Sequence, residues 1–362
     1  METNIDFIGK NKIQGNVAAH MSTQGRMDPG AMRPWIGKDN KTYVTIYTGG
    51  NPKALSSYQT SQVQVNGTLR RDEWKQLDEA LLRISEYRLG GVQDLIDNNL
   101  VYNLGNAMGT TVLEYHDVGD ALTADLTMDG ITRAQNDRQD FTTHYLPIPI
   151  IHVDYEINAR ALAASRSLGN SLDTGMAERA GRKVNERLEN MLFTDTTYAF
   201  GGGTIYSYLN HPDRNQVALT ANWDAAGKTG AQIIADVLNC KTAAIEAYHY
   251  GPYMLYIPTS YEVVLDADYD ATTPGTTIRE RIMKISNIKG IKVVDTLTDD
   301  NVLLVQMTPD VVRLVRGMPL TNVEWSVEGK FITKYKVLTI AVPQVRSDQD
   351  GNSGIVQLAA AS

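Results

Sequence analysis

Residues 146–193 constrain this chain more than any other stretch. They open as Leu146-Pro-Ile-Pro-Ile-Ile-His-Val-Asp-Tyr-Glu-Ile157. From Ile151 the pattern alternates, with Ile151, Val153, Tyr155 and Ile157 on one side and His152, Asp154 and Glu156 on the other. Side chains of a strand point to its two faces in turn, so this is a half-buried strand with a polar outer face. A Pro-free stretch then runs to Phe193, with Ala177, Ala180, Val184, Leu188 and Met191 at helical spacing and Glu178, Arg182, Glu186 and Arg187 off that stripe. This is an amphipathic helix, and Asp173 or Thr174 is placed to cap its start. Roughly 20 residues at about 1.5 Å each make a spine of about 30 Å.

Composition narrows the class. The chain has 362 residues, 42% hydrophobic and 21% charged, which is enough for two modest cores. A net charge of −8 excludes a generic nucleic-acid binder. No apolar run reaches the roughly 18 residues of a membrane span, and no membrane partner is expected. The start, Met-Glu-Thr-Asn-Ile-Asp, is not a signal peptide, and the single Cys240 excludes an intrachain disulfide framework. A buried Cys240 in a chain made in a reducing cytoplasm is the expectation.

Charge is uneven. Residues 1–71 hold nine Lys and Arg against four Asp and Glu, while the rest hold 25 against 38. The first segment has no helical periodicity and one alternating patch, Lys41 to Tyr47. It is expected to be an extended basic arm that needs a partner surface, because it carries too little apolar surface to fold alone. Residues 72–90 are expected to be a helix, with Trp74, Leu77, Leu81, Ile84 and Arg88 at helical spacing and Gly90-Gly91 ending it. Residues 110–157 spell a long β-hairpin whose 110–141 part has seven acidic residues and two basic ones. Pro147 and Pro149 place its returning limb on an edge or a free ribbon.

Gly201-Gly-Gly203 marks a flexible break. A second α+β domain is expected over 223–319. It would contain a helix at 230–248, a strand at 253–257, a helix at 276–286 and strands at 291–294, 302–307 and 311–315. Long strands at 322–327 and 330–342 would return to the first domain, leaving a C-terminal tail.

Catalytic patterns are missing. Gly227-Lys228-Thr229 has Asn222 where a phosphate-binding loop needs glycine, so a helix-start turn is the reading. The six histidines show no His-x-x-x-His pair, and His152, Asp154 and Glu156 read as a polar strand face before a metal site. There is no Gly-x-Ser-x-Gly elbow. No catalytic, cofactor or metal residue is assigned. Eighteen Tyr against five Phe suit wet interfaces.

The ordered set Arg71-Asp-Glu-Trp-Lys-Gln-Leu-Asp-Glu79, Leu146 to Ile157, Ala177 to Phe193, Gly251-Pro-Tyr-Met-Leu-Tyr-Ile257 and Tyr335-Lys-Val-Leu-Thr-Ile340 covers roughly residues 70–345. It resembles the major capsid proteins of tailed double-stranded DNA bacteriophages, the Hong Kong 97 type, and among them the encapsulin-like members. The resemblance implies an α+β fold with an extended N-terminal arm (1–71) and the first P-domain helix in 72–109. An E-loop hairpin (110–150), a P-domain with a spine helix at 174–193 (151–222), an A-domain (223–319) and returning P-domain strands (320–362) would follow. It also implies pentamers and hexamers in an icosahedral shell around packaged double-stranded DNA, held without sequence-specific contacts. A portal and a decoration or cement protein would be partners, and the chain would be found in the virion after assembly in the host cytoplasm. An encapsulin compartment enclosing cargo protein is the alternative, and the long arm favours the phage. With Met1 present, no large scaffolding segment is expected to have been removed.

Intersubunit contacts are expected between the acidic loop (Glu114, Asp117, Asp120, Asp125, Asp129 and Asp137, with Arg133 and Arg138) and the arm (Arg26, Arg33, Lys38 and Lys41). The type member of the family joins subunits through a loop lysine. Residues 110–150 contain none, so no such cross-link is expected.

Overall fold

In the computed structural model the described residues are 5–8, 11–13, 35–39, 41–47, 58–62, 75–79, 90–118, 128, 141–158, 160, 175–194, 197–270, 275–327, 332–348 and 350–360. Of the expected first helix, 75–79 is helical and 72–74 and 80–89 lie outside these residues, as do the expected caps Asp173 and Thr174.

The spine helix is Gly175–Phe193. Its stripe Ala177, Ala180, Val184, Leu188 and Met191 is buried. It lies on a four-stranded sheet ordered Val101–Asn103, Val312–Val327, Ile332–Val345, Ile151–Asn158. The last strand alternates as its sequence does: Ile151 and Tyr155 are buried, His152, Asp154 and Glu156 exposed. Beneath the helix, Tyr155 stacks on Tyr335 at 5.1 Å, and the Asn322 amide donates to the Tyr155 hydroxyl at 2.7 Å. On the outer face Lys336 reaches Asp154 at 3.6 Å.

Val312–Val327 is a single 16-residue strand with register shifts between Arg316 and Thr321. The expected split at 311–315 and 322–327 is therefore corrected, and the whole strand belongs to the spine-helix sheet. Bulges let so long a strand bend while staying paired. Gly317 sits at the bend, where a Cβ would lie 2.3 Å from that of Ala107.

A second sheet has five strands, ordered Asn215–Leu219, Ile355–Ala360, Asn301–Gln306, Tyr253–Pro258, Ile288–Val294. Its second strand is the expected C-terminal tail, which is here an interior strand. Both faces are covered, so apolar residues run without a break. Leu255, Ile257, Leu304, Val356 and Leu358 pack under helices Gly230–Glu246 and Ile278–Met283. Met254, Tyr256, Leu303, Val305 and Ile355 face the other way, into the core of the spine helix. The sheet is thus a wall shared by two cores.

The hairpin appears as a two-stranded ribbon, Val112–Val118 against Phe141–Pro147, with Val112 opposite Pro147 and Val118 opposite Phe141. The expected continuous limb to Ile157 is interrupted after Pro147, and Ile151 onward joins the four-stranded sheet. In the first segment Thr42–Tyr47 is the expected strand. Trp35–Ile36 and Tyr58–Gln62 pair with it, and Ile5–Ile8 pairs with Asn11–Ile13.

Two glycine readings change. Gly90 and Gly91 start a helix, Gly90–Asp97, rather than end one. A Cβ on Gly91 would lie 2.3 Å from the Phe193 ring, so it is close packing on the spine helix that requires glycine there. Gly201 and Gly202, at φ +60° and +81°, turn a tight hairpin between Tyr198–Phe200 and Gly203–Ile205, which is no flexible break.

Candidate assembly interface

Gly227-Lys228-Thr229 is a helix cap. The Thr229 hydroxyl accepts from Gln232 N–H, and Gln232 reaches back to Thr229 N–H at 3.0 Å, a reciprocal capping box. Lys228 is buried against Asp236 at 2.7 Å, and Asp236 also accepts from Trp223 at 3.1 Å, so this lysine cannot reach a bound phosphate. Burial pushes the neighbouring Cys240 thiol up to about 12, which makes it an unreactive core residue. Among the described residues no three His, Cys, Asp or Glu are grouped to hold a metal ion. No described helix is long and apolar enough to cross a membrane.

What the structure does organise is a ribbon fixed to the body of its own chain near its far end. Asp117, buried near the ribbon's far end, pairs with His144 across the ribbon at 2.9 Å and with Arg346 at 3.5 Å. The Arg346 guanidinium stands over the Tyr115 ring at 5.6 Å and donates to the His116 carbonyl. Tyr115 stacks on His144 at 5.4 Å. A residue just past the end of strand Ile332–Val345 thereby sets the ribbon's direction. Arg346 carries no local sequence signal for this role, because its partner lies some 230 positions away.

The expected contact residues fall into three groups. Glu114 is exposed, and Asp117 is turned inward onto its own chain. Lys38 and Lys41 are exposed on the small N-terminal sheet. Asp120, Asp125, Asp129, Arg133, Asp137, Arg138, Arg26 and Arg33 lie outside the described residues.

A polar joint ties the two cores together. Glu189, buried on the spine helix, accepts from the Gly91 and Val92 N–H groups at 2.7 and 3.3 Å, at the start of helix Gly90–Asp97. In that helix Asp94 accepts from Tyr256 at 3.1 Å and meets Lys292 at 3.4 Å, both on the five-stranded sheet. Phe193 packs edge-on against Tyr208 and Tyr256 at 5.5 and 4.9 Å. Burial raises the Glu189 carboxyl to about 7, with the two N–H bonds opposing and Asp94 adding to the rise. Asp94 is also raised by burial, against the pull of Lys292. Periodicity places Glu189 on the edge of the buried stripe; only its distant partners make it a joint.

Exposed apolar side chains concentrate beside the ribbon's root, at Tyr145, Ile150, Tyr198 and Phe200. Ile150 and Tyr198 border a cleft of about 300 Å³.

This architecture is that of known shell subunits. A virus-like particle subunit from Pyrococcus furiosus superposes with a TM-score of 0.57 at 19% identity, over 79% of this chain and 98% of that one. The capsid of Myoviridae phage XM1 also gives 0.57, at 10% identity over 75% and 92%. The capsid of an empty GTA particle gives 0.53, at 12% identity over 74% and 90%. The chain has the α+β fold of these capsid and particle subunits. Residues 63–358 match a family described as a family of unknown function, DUF6260, and the chain belongs to it. Among curated proteins none matches this sequence.

Proposed function

We propose that this chain is the major capsid protein of a tailed bacteriophage, a structural subunit that closes into an icosahedral shell of pentamers and hexamers around double-stranded DNA. The observation that carries this reading is the superposition on nearly the full length of a virus-like particle subunit and of a phage capsid subunit. The ribbon supports it, since a two-stranded ribbon with little core of its own is stable only against a further surface. In this reading the ribbon is the E-loop, the four-stranded sheet and spine helix are the P-domain, and the five-stranded module is the A-domain at the capsomer axes. A net charge of −8 suits a wall that holds DNA without gripping its phosphates. The virion is the place of action, assembly occurs in the host cytoplasm, and a portal and a cement protein complete the shell.

Electron microscopy of the purified protein tests this. Closed particles whose absorbance ratio reports nucleic acid are expected. Particles filled with protein would move the reading to a cargo compartment, and a stable 40.0 kDa monomer would overturn it.

A further inference from the structure

The spine helix Gly175–Phe193 carries its charge unevenly. Arg179, Arg182, Lys183 and Arg187 are exposed on the side away from the sheet, and Glu186 is the carboxylate among them. Glu178 is half-buried, and Glu189 is turned into the core. Glu186 meets Lys183 at 2.7 Å and Arg182 at 3.3 Å, so one carboxylate serves two cations. Arg179 and Arg187 have no carboxylate partner among the described residues.

Stability does not ask for this pattern. Arg179, Lys183 and Arg187 follow one another at four-residue steps, where side chains of a helix are neighbours and like charges repel. The helix dipole favours cations in the last turn, and that turn holds none. The sheet beneath is arranged differently. On its outer face Lys336 stands opposite Asp154 and Lys334 opposite Glu156. One side of this layer is thus paired charge by charge and the other is left basic, in a chain whose net charge is −8.

Charge complementarity selects a polyanion. From Arg179 to Arg187 the helix rises about 12 Å, at about 1.5 Å per residue. Duplex DNA carries about one phosphate charge per 1.7 Å of its axis, so about seven lie within that span. Four cations on long side chains meet part of such a row, and an arginine grips a phosphate with two parallel N–H bonds. Contacts of this kind fix position and read no sequence.

Resting on the shell reading, we propose that the exposed face of the spine helix is part of the shell's inner wall, where Arg179, Arg182, Lys183 and Arg187 touch the phosphate backbone of the enclosed double-stranded DNA. The acidic remainder of the chain repels the polymer, so contact is confined to one narrow strip per subunit. The strip is weak in a single copy and gains by repetition over the shell.

Neutral variants test the contact. Arg179→Gln, Arg182→Gln, Lys183→Gln and Arg187→Gln are combined in the full chain, since Gln keeps helix propensity and removes the charge. Lys334→Gln with Lys336→Gln is the control from the opposite face of the same layer. The probe is a short fluorescent DNA duplex, titrated with the unassembled chain and followed by anisotropy between about 50 and 200 mM salt. The affinity of the native chain is expected to fall with salt at a log–log slope of about −3 to −4, as four phosphate contacts require. The fourfold variant is expected to bind at least about tenfold more weakly at low salt, with a slope near zero, and the control to behave as the native chain. A native chain that binds no duplex at low salt, binding that survives the four changes, or an equal loss in the control overturns the proposal and leaves the shell reading intact. As a second measurement, the fourfold variant is expected to melt and to assemble as the native chain does. Lost assembly with unchanged melting would make this face a contact between copies and would likewise overturn the proposal. If the unaltered chain forms no particles, the shell reading fails and the inner wall with it, while the titration still decides the phosphate contact.

Discussion

The five-stranded sheet and the ribbon are both made of strands, yet they solve opposite problems. In the sheet both faces are covered, and Leu255, Tyr256, Leu303 and Leu304 are inaccessible to solvent. Its stability is complete within one chain. In the ribbon Glu114, His116, Thr142, Thr143 and Tyr145 are exposed, while Leu146 reaches the spine-helix core, Leu113 and Tyr115 pack against it, and Asp117 pairs with Arg346. The difference shows where the chain buries its strands on both sides and where it leaves them on the surface: a covered sheet beside a largely exposed ribbon.

The sharpest way to break this contrast is to cut both regions equally. Leu304→Ala removes a fully buried side chain between two sheet neighbours and is expected to cost roughly 2–5 kcal/mol of unfolding free energy. Tyr145→Ala on the ribbon is expected to stay within about 0.5 kcal/mol. Denaturant unfolding followed by tryptophan fluorescence measures both. Equal losses would mean that the ribbon is part of the folding unit.

The next effect belongs to the joint between the cores. Glu189 binds its proton more tightly folded, at about 7, than the ordinary 4.5 of an unfolded chain. Between those values the folded state holds more protons, so the contribution is full below pH 4.5 and is lost as pH rises through 7. The swing is on the order of 3 kcal/mol. The groups around Glu189 in the described structure are Asp94, Tyr208, Tyr256 and, beyond Asp94, Lys292. Thermal melts of the native chain and of Glu189→Gln from pH 4.5 to 8.5 should converge at one end and separate at the other. Parallel curves would remove Glu189 as the titrating group.

Arg346→Ala then asks whether the ribbon's direction is set from outside the ribbon. It removes one ion-pair partner of the buried Asp117 carboxylate, at a cost of about 1–3 kcal/mol. The loss should be local. Hydrogen exchange should quicken in 112–118 and 141–147 and stay unchanged in 253–258. Uniform quickening would mean that Arg346 supports the whole fold.

What the sequence made legible follows the same division. Local periodicity placed Ile151–Asn158, Gly175–Phe193 and Gly230–Glu246 almost to the residue, because each hides one face and shows the other. It could not assign strands to sheets. Ile355–Ala360 lies between Asn215–Leu219 and Asn301–Gln306, partners far away in the chain, and its apolar run has no period to distinguish a tail from an interior strand. Gly90-Gly91 failed as a stop signal for a related reason: what demands glycine there is the Phe193 ring, about a hundred residues on. The ribbon and the cleft beside it are the least legible parts, since the ribbon's direction depends on Arg346 and the cleft on the meeting of Ile150, Arg187 and Tyr198.

The smallest effect sharpens the contrast from the side of the rigid body. Helix Gly230–Glu246 covers one face of the five-stranded sheet, and its first turn is closed by the reciprocal bonds of Thr229 and Gln232. Thr229→Ala removes the hydroxyl that accepts Gln232 N–H and is expected to cost about 1 kcal/mol. Thr229→Ser keeps an acceptor at the same place and should recover most of it. Because the cap sits on the self-sufficient module, the loss should appear in the chain's melting and leave the assembly concentration untouched. Nucleoside triphosphate should protect neither form, since Lys228 is committed to Asp236 in the core. A change in assembly without a change in melting would place this turn at a contact between copies, and the division between covered sheet and exposed ribbon would have to be redrawn.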